Sequence, residues 1–298
     1  MNDAPPPPAS LRPDGVDAAG YRGPTWIGAD PPPAPRRFGP ADWARVALRA
    51  VPLATILFGG LAVLLAIRVP EALLAGRRRP VTSWIPRATF AVACPLIGMR
   101  REVRGRPMAG PGAAVSNHVG WLDIFALSAS CRVLFVAKSE VARWPGIGWL
   151  ARGAGTLFFR RDRAKAAQQA AELAERIALG QRPLIFPEGT SSDGRRVLRF
   201  KPTLFAALFD PRVRSLAQVQ PIAVEYDAPP GCDPRFYGWW GDMDFVPHFL
   251  QVLAAPRRGK VIVTFHPPRA VSEAGDRKAL AAACEEDIRA GLRARPGP

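Results

Sequence analysis

Ala113-Ala114-Val115-Ser116-Asn117-His118-Val119-Gly120-Trp121-Leu122-Asp123-Ile124-Phe125-Ala126-Leu127 is the stretch on which the reading of this chain turns. A short apolar run predicts a strand, breaks into a polar turn, and reopens as an apolar stretch from Ile124 to Leu127. His118 and Asp123 stand five positions apart. Within one regular helix, at 3.6 residues per turn, they would diverge by roughly 140° and could not meet. They meet only if the histidine lies in the loop before a helix and the aspartate in its early turns, a path that Gly120 permits. Asp123 would then accept the imidazole N–H, fix the tautomer and raise the basicity of the other ring nitrogen, which could remove a proton from an attacking hydroxyl. By themselves the two residues fit a capping histidine and an ordinary helix-start carboxylate better than a catalytic pair.

Outward from this block the pattern is that of an α/β domain, with short apolar runs that end in polar or glycine residues and lead into helical stretches. Strands are expected at Ala113–Val115, Val133–Ala137, Thr156–Phe159, Pro183–Phe186, Val219–Val224 and Lys260–Phe265. Arg163–Leu179 is alanine-rich with apolar residues at helical spacing, and Gly180 is placed to close it in the left-handed conformation. No internal repeat of useful period is present.

Two further blocks carry chemistry. Phe186-Pro187-Glu188-Gly189-Thr190-Ser191-Ser192-Asp193-Gly194 follows a strand directly, and loops at the carboxyl ends of strands are where α/β folds bind ligands. Its small and hydroxyl residues would let backbone N–H groups approach an anion, and Glu188 could hold a hydroxyl or a neighbouring cation; an ordinary turn is the alternative. Gly155-Thr156-Leu157-Phe158-Phe159-Arg160-Arg161 ends an apolar strand on two arginines able to grip a phosphate. Lys138 and Lys201 occupy comparable positions, and several cations at strand ends suggest an anion-binding mouth. His248 and His266 carry no motif and read as structural, while the aromatic run Phe236–Trp240 reads as core or as a pocket lining.

The chain has 298 residues, enough for one large domain with appendages, and carries a formal net charge of +16. Such a field suits a phosphate-rich partner, a nucleic acid or an anionic membrane. Only five of the 41 basic residues are lysine, however, a bias that base composition alone could produce. The cysteines Cys94, Cys131, Cys232 and Cys284 lack metal-ligand spacing, so neither zinc nor a disulfide framework is indicated and a reducing compartment fits. No aromatic and basic pattern of a nucleic-acid module accompanies the charge.

Residues 1–40 are dense in proline and are expected to form a disordered tail. A secretory signal is not indicated, because the apolar stretch begins only near Ala50. The uncharged run Ala50–Ile67 would reach roughly 27 Å as a helix, borderline for crossing a bilayer. A second stretch, Thr89–Met99, is interrupted by Pro95, and Arg77, Arg78, Arg79, Arg87, Arg100 and Arg101 flank or separate the two. Two short apolar segments with cationic shoulders can form a hairpin dipping into one leaflet. A single span and a buried core helix are the alternatives.

In this order the blocks resemble the glycerolipid acyltransferase family, of the 1-acyl-glycerol-3-phosphate type. The family's Asn-His-x-x-x-x-Asp pattern matches Asn117, His118 and Asp123, and its Gly-x-x-Phe-x-x-Arg pattern matches Gly155, Phe158 and Arg161. Its Phe-Pro-Glu-Gly-Thr pattern matches Phe186, Pro187, Glu188, Gly189 and Thr190, and its last block, a proline after a strand of small apolar residues, matches Val219–Val224 with Pro221. The resemblance covers about residues 113 to 225 and implies a mixed sheet flanked by helices. It also implies that His118 acts as base and Asp123 orients it, while an acceptor hydroxyl attacks an acyl-CoA or acyl-carrier-protein thioester without an acyl-enzyme. Asn117, Lys138, Gly155, Phe158, Arg161, the Phe186–Thr190 loop, Lys201 and Pro221 would bind or shape the substrate site, with no metal or cofactor required.

One position departs from the pattern. Members using lysophosphatidic acid often carry arginine after Glu-Gly-Thr, where this chain has Ser191; Arg195, Arg196 or Lys201 are candidate replacements. The continuation Ser191–Leu198 and the tail Phe236–Met243 resemble the branch of lyso-ornithine lipid acyltransferases, which implies an acceptor with an amino-acid headgroup. The expected organisation is a tail over 1–40, a membrane-associated helical segment over 41–102 and an acyltransferase domain over 103–298, on the cytoplasmic face of the cell membrane. The partners expected are a lysolipid, a carrier or CoA thioester and an anionic membrane surface, with no nucleic acid. A basic binding module without catalysis, or a thioester hydrolase using the same pair, are the competing readings.

Overall fold

The computed structural model describes residues 25–28, 31–34, 36–160 and 162–293. Helix α1 (Pro40–Ala75) leads into α2 (Ile85–Leu96) and strand β1 (Met99–Arg104). Then follow β2 (Gly112–Ser116), α3 (Leu122–Ser130), β3 (Leu134–Lys138), α4 (Ile147–Ala154), β4 (Leu157–Phe159), α5 (Ala166–Ala178) and β5 (Pro183–Ile185). The chain closes with β6 (Gln218–Asp227), α6 (Phe245–Ala254), β7 (Gly259–Phe265), β8 (Arg269–Ala270) and α7 (Arg277–Arg293).

The strands form one mixed sheet in the order β1-β7-β6-β2-β5-β3-β4, with β8 on the flank of β6. From β6 to β4 the neighbours are parallel, whereas β7 runs antiparallel to β6 and carries β1 parallel to itself. Alternation along β2 and β6 builds two cores. Ala114, Ile222, Val224 and Tyr226 face α1, α2, α3 and α6, while Ala113, Val115, Val219 and Ala223 face α5, α7 and the 3-10 turn Pro202–Phe209. Because β2 to β6 run parallel, the loops after β2, β3, β4 and β5 and the last residues of β6 all emerge at one end of the sheet.

Each strand expected from the sequence is present, and α5 ends as expected, with Gly180 at φ +74°. The strand β1 was not anticipated. Its sequence Met-Arg-Arg-Glu-Val-Arg is strongly cationic, and as an edge strand it keeps most of those side chains in solvent and needs no apolar alternation. The sheet therefore begins before the boundary placed at residue 103. Pro221 lies in mid-sheet, where its missing N–H would leave the His266 carbonyl unsatisfied. The Gln220 side-chain amide donates to that carbonyl at 3.0 Å, and the His266 N–H donates to the Pro221 carbonyl, also at 3.0 Å.

The apolar run expected from Ala50 to Ile67 is the middle of a longer helix. Pro40 occupies the first turn of α1, and Asp42 accepts the Gly39 N–H at 3.0 Å and pairs with Arg36 and Arg45. At about 1.5 Å per residue α1 is roughly 54 Å long, and by length and apolar composition it could cross a membrane. It nevertheless touches the domain along its length. Arg45 donates to Ala254 O and Arg49 to Leu253 O and Ala255 O, covering carbonyls at the end of α6. Gly60 abuts Thr89 of α2, and the Glu71 carboxylate accepts the N–H groups of Val81 and Thr82 at 2.7 and 3.0 Å in the turn before α2. Trp43, Leu48, Val51, Phe58, Val63 and Leu65 remain exposed on the side away from the sheet.

Of the tail expected over 1–40, residues 1–24, 29, 30 and 35 lie outside the described residues, and the described part is not uniformly unpacked. Trp26 is only 2 % exposed and rests against Leu198 and Trp240, because an indole has more apolar surface to bury than a proline-rich context suggests.

Candidate active site

The strand-to-helix turn after β2 folds as its spacing requires. His118 sits in the loop, Asp123 is the second residue of α3, and His118 Nδ1 lies 2.7 Å from Asp123 Oδ2. The same carboxylate oxygen accepts the backbone N–H groups of Val119 and Gly120 at 2.8 and 3.1 Å. Its other oxygen accepts the Tyr226 hydroxyl at 2.9 Å. Asp123 is fully buried, so four directed donors replace the water that would otherwise hold its charge. Burial first, and the neighbouring Asp123 charge second, push the Tyr226 phenol well above its ordinary range and keep it a proton donor.

The His118 side chain retains 24 % exposure and stacks on Phe186, ring centroids 4.1 Å apart. The loop after β5 closes over it from behind, with the Ser192 N–H donating to His118 O at 2.9 Å. With Nδ1 on Asp123, Nε2 is the nitrogen left to exchange a proton. A buried tyrosine, an aspartate and a partly exposed imidazole in series make a chain that can stabilise positive charge on the ring and release it again.

The structure brings His118, Asp123 and the Phe186–Thr190 loop together, and it gives several other expected site residues a structural place. Asn117 is buried, its amide donating to Val224 O and accepting the Val224 N–H, both at 2.8 Å. It ties the end of β2 to β6. Pro221 is buried in the sheet, one residue short of that level. Gly155 ends α4 at φ +86°, and a Cβ there would fall 2.1 Å from the Arg79 guanidinium, which donates to Ala154 O. Glycine at this position lets the α1–α2 connection seat on α4. Phe158 is half-buried on β4, Lys138 is exposed at the end of β3, and Arg161 lies outside the described residues.

Within the loop after β5, Pro187, Glu188 and Thr190 are buried. Gly189, at φ +72°, lets the Lys201 ammonium come within 2.7 Å of where a Cβ would stand. Glu188 is 1 % exposed and neither carboxylate oxygen has a hydrogen-bond partner among the described residues. Burial raises its pKa well above the ordinary carboxylate range, and the nearby amides of His118 and Leu198 oppose that rise without forming good hydrogen bonds. Of the three candidate replacements for an arginine after Thr190, Arg196 pairs with Asp193 at 3.1 Å and lies over the Trp26 ring, whereas Arg195 is exposed.

Two contributors escaped the sequence reading. Tyr226 follows Ile222 and Val224 at period two, which was the available signal, but its meeting with Asp123 depends on the β2–β6 register. His248 is structural as expected and also braces the site: Trp121 Nε1 donates to its Nδ1 at 2.9 Å and its Nε2 donates to Phe236 O at 3.2 Å. Burial lowers its pKa to about 4, fixing the neutral form.

Known proteins resemble this chain in sequence and in fold. Residues 100–225 match the family described as Acyltransferase. A lyso-ornithine lipid O-acyltransferase of Rhodobacter capsulatus is 50% identical over 269 residues, covering 90% of this chain and 97% of that one. A 1-acyl-sn-glycerol-3-phosphate acyltransferase of Neisseria gonorrhoeae is 33% identical over 184 residues, covering 59% of this chain and 67% of that one. The fold is similar to the crystal structure of the 1-acyl-sn-glycerophosphate (LPA) acyltransferase PlsC of Thermotoga maritima, with a TM-score of 0.56, 19% identity and coverage of 85% of this chain and 98% of that chain.

Proposed function

Since this chain belongs to the acyltransferase family, in the branch of the lyso-ornithine lipid O-acyltransferases, we propose that it transfers a fatty acyl group from a thioester to the free hydroxyl of lyso-ornithine lipid. The observation that carries the mechanism is the 2.7 Å contact between His118 Nδ1 and a fully buried Asp123. His118 Nε2 takes the proton of the acceptor hydroxyl as its oxygen attacks the thioester carbonyl. The C–S bond of the tetrahedral adduct then breaks, and the imidazolium returns the proton to the departing thiolate. Acyl-carrier protein or acyl-CoA supplies the thioester, and the chemistry asks for no metal or cofactor.

The acceptor lies against the loop Phe186–Ser191. Ser191 supports an acceptor without a phosphate monoester, since no guanidinium occupies the position at which lysophosphatidic-acid enzymes of the family often carry one. Lyso-ornithine lipid and 1-acyl-glycerol-3-phosphate are therefore compared in separate reactions with the same labelled thioester. A faster initial rate with lyso-ornithine lipid is expected. A faster rate with the glycerol phosphate would reassign the acceptor, and thioester cleavage unaffected by either acceptor would make the protein a hydrolase.

The protein works on the cytoplasmic face of the cell membrane without a perpendicular span. Contacts of α1 with the domain at Arg45, Arg49 and Leu61 would draw the domain into the hydrocarbon if α1 stood upright. Lying in one leaflet, α1 buries its exposed apolar side in lipid while the arginines of the α1–α2 connection meet anionic headgroups.

A further inference from the structure

The loop after β5 contains two glycines in left-handed conformations, Gly189 at φ +72° and Gly194 at φ +76°. Such a segment has many accessible conformations and needs outside contacts to hold one. Beside the Ser192 bond to His118, such contacts come from a short piece of chain that precedes α1. The Trp26 N–H donates to the Thr190 hydroxyl at 3.2 Å, and the Trp26 ring is buried between Leu198, beyond the loop after β5, and Trp240, beyond β6. Ile27 O accepts the Trp240 indole N–H at 3.1 Å. Arg196 lies 5.3 Å over the Trp26 ring, and Arg235 donates to Pro31 O at 3.2 Å. Gly28, at φ +82°, turns the chain back so closely over the Trp26 ring that a Cβ would stand 2.9 Å from it.

We infer that Trp26 is a positioning residue for acyl transfer, the anchor of a strap that ties the loops after β5 and β6 together and fixes the Phe186–Thr190 loop against its acceptor. The inference rests on the reading that this loop holds the acceptor. Further along the chain, at the start of α1, Arg36 pairs with Asp42 and Phe38 packs edge-on against Trp43, 5.5 Å between ring centroids. The indole N–H of Trp26 has no hydrogen-bond partner among the described residues, so the anchor consists of the apolar ring and the main-chain N–H.

That composition sets the test. In the full-length protein, Trp26→Ala removes the buried ring that seats the strap and should raise the KM for the lysolipid acceptor about tenfold, with the KM for the thioester unchanged. Trp26→Phe, which keeps ring and main chain, should restore acceptor KM to within about twofold. Gly28→Ala dislodges the strap without altering either loop and should reproduce the Trp26→Ala effect, which keeps the test open if Trp26→Ala does not fold. An unchanged acceptor KM in Trp26→Ala or Gly28→Ala, or equal changes in acceptor and thioester KM, would overturn the inference. Failure of the wild type to transfer to any lysolipid would instead remove the functional reading beneath it.

Discussion

At the scale of single residues, four donors hold the Asp123 carboxylate that orients His118. The Tyr226 hydroxyl is the donor to Asp123 Oδ1, and without it that buried oxygen would be unpaired. Tyr226→Phe should therefore loosen the orienting carboxylate and lower kcat/KM by about tenfold with the fold retained; initial rates taken beside the melting temperature check it. A second residue sets acid stability. The pKa of folded His248 is about 4 against an ordinary value of 6.5, so as pH falls through that window the unfolded chain takes up a proton that the folded one refuses. Stability is full above the ordinary value and falls as pH drops towards 4, by at most about 3 kcal/mol. His248→Gln, which can still accept from Trp121 and donate to Phe236, should flatten the difference in urea midpoint between pH 7 and pH 5.

At the scale of elements, the turns that bring chemistry together are held by close approaches. Gly155→Ala would strain a left-handed position and push the Arg79 guanidinium off Ala154 O, loosening the α1–α2 connection from α4. A loss of about 1–2 kcal/mol is expected, visible as a drop of a few degrees in Tm with His118 chemistry intact. What the sequence disclosed at this scale follows from local physics. His118, Asp123 and Gly120 lie within one turn, so spacing alone required the loop and helix start that the structure contains. Asn117 was legible as a motif position and Pro221 also as part of an expected strand, but their partners were not, because these lie in the β2–β6 register and in the join between β7 and β8, which bring together residues about a hundred and about forty-five positions apart. Trp26 was hidden by the prolines around it, and the cationic β1 by its lack of alternation.

Across the whole molecule, the sheet presents its chemical end while α1 presents an apolar side with no protein partner among the described residues. Leu65 and Leu73 are 50% and 85% exposed there. Replacing both by lysine leaves the core contacts of Leu53 and Leu64 in place and removes apolar area from the lipid-facing side. Co-flotation with anionic vesicles should fall severalfold while the melting profile stays close to wild type; undiminished flotation would contradict the account of α1.

The central claim is that His118, oriented by Asp123, is the general base of acyl transfer, and it meets its most direct test in the His118→Ala variant. The measurement is the initial rate of labelled acyl transfer from thioester to lyso-ornithine lipid, taken beside vesicle binding and melting temperature. The account predicts a fall of about a hundredfold or more with vesicle binding and melting preserved. A rate within about twofold of wild type would contradict it.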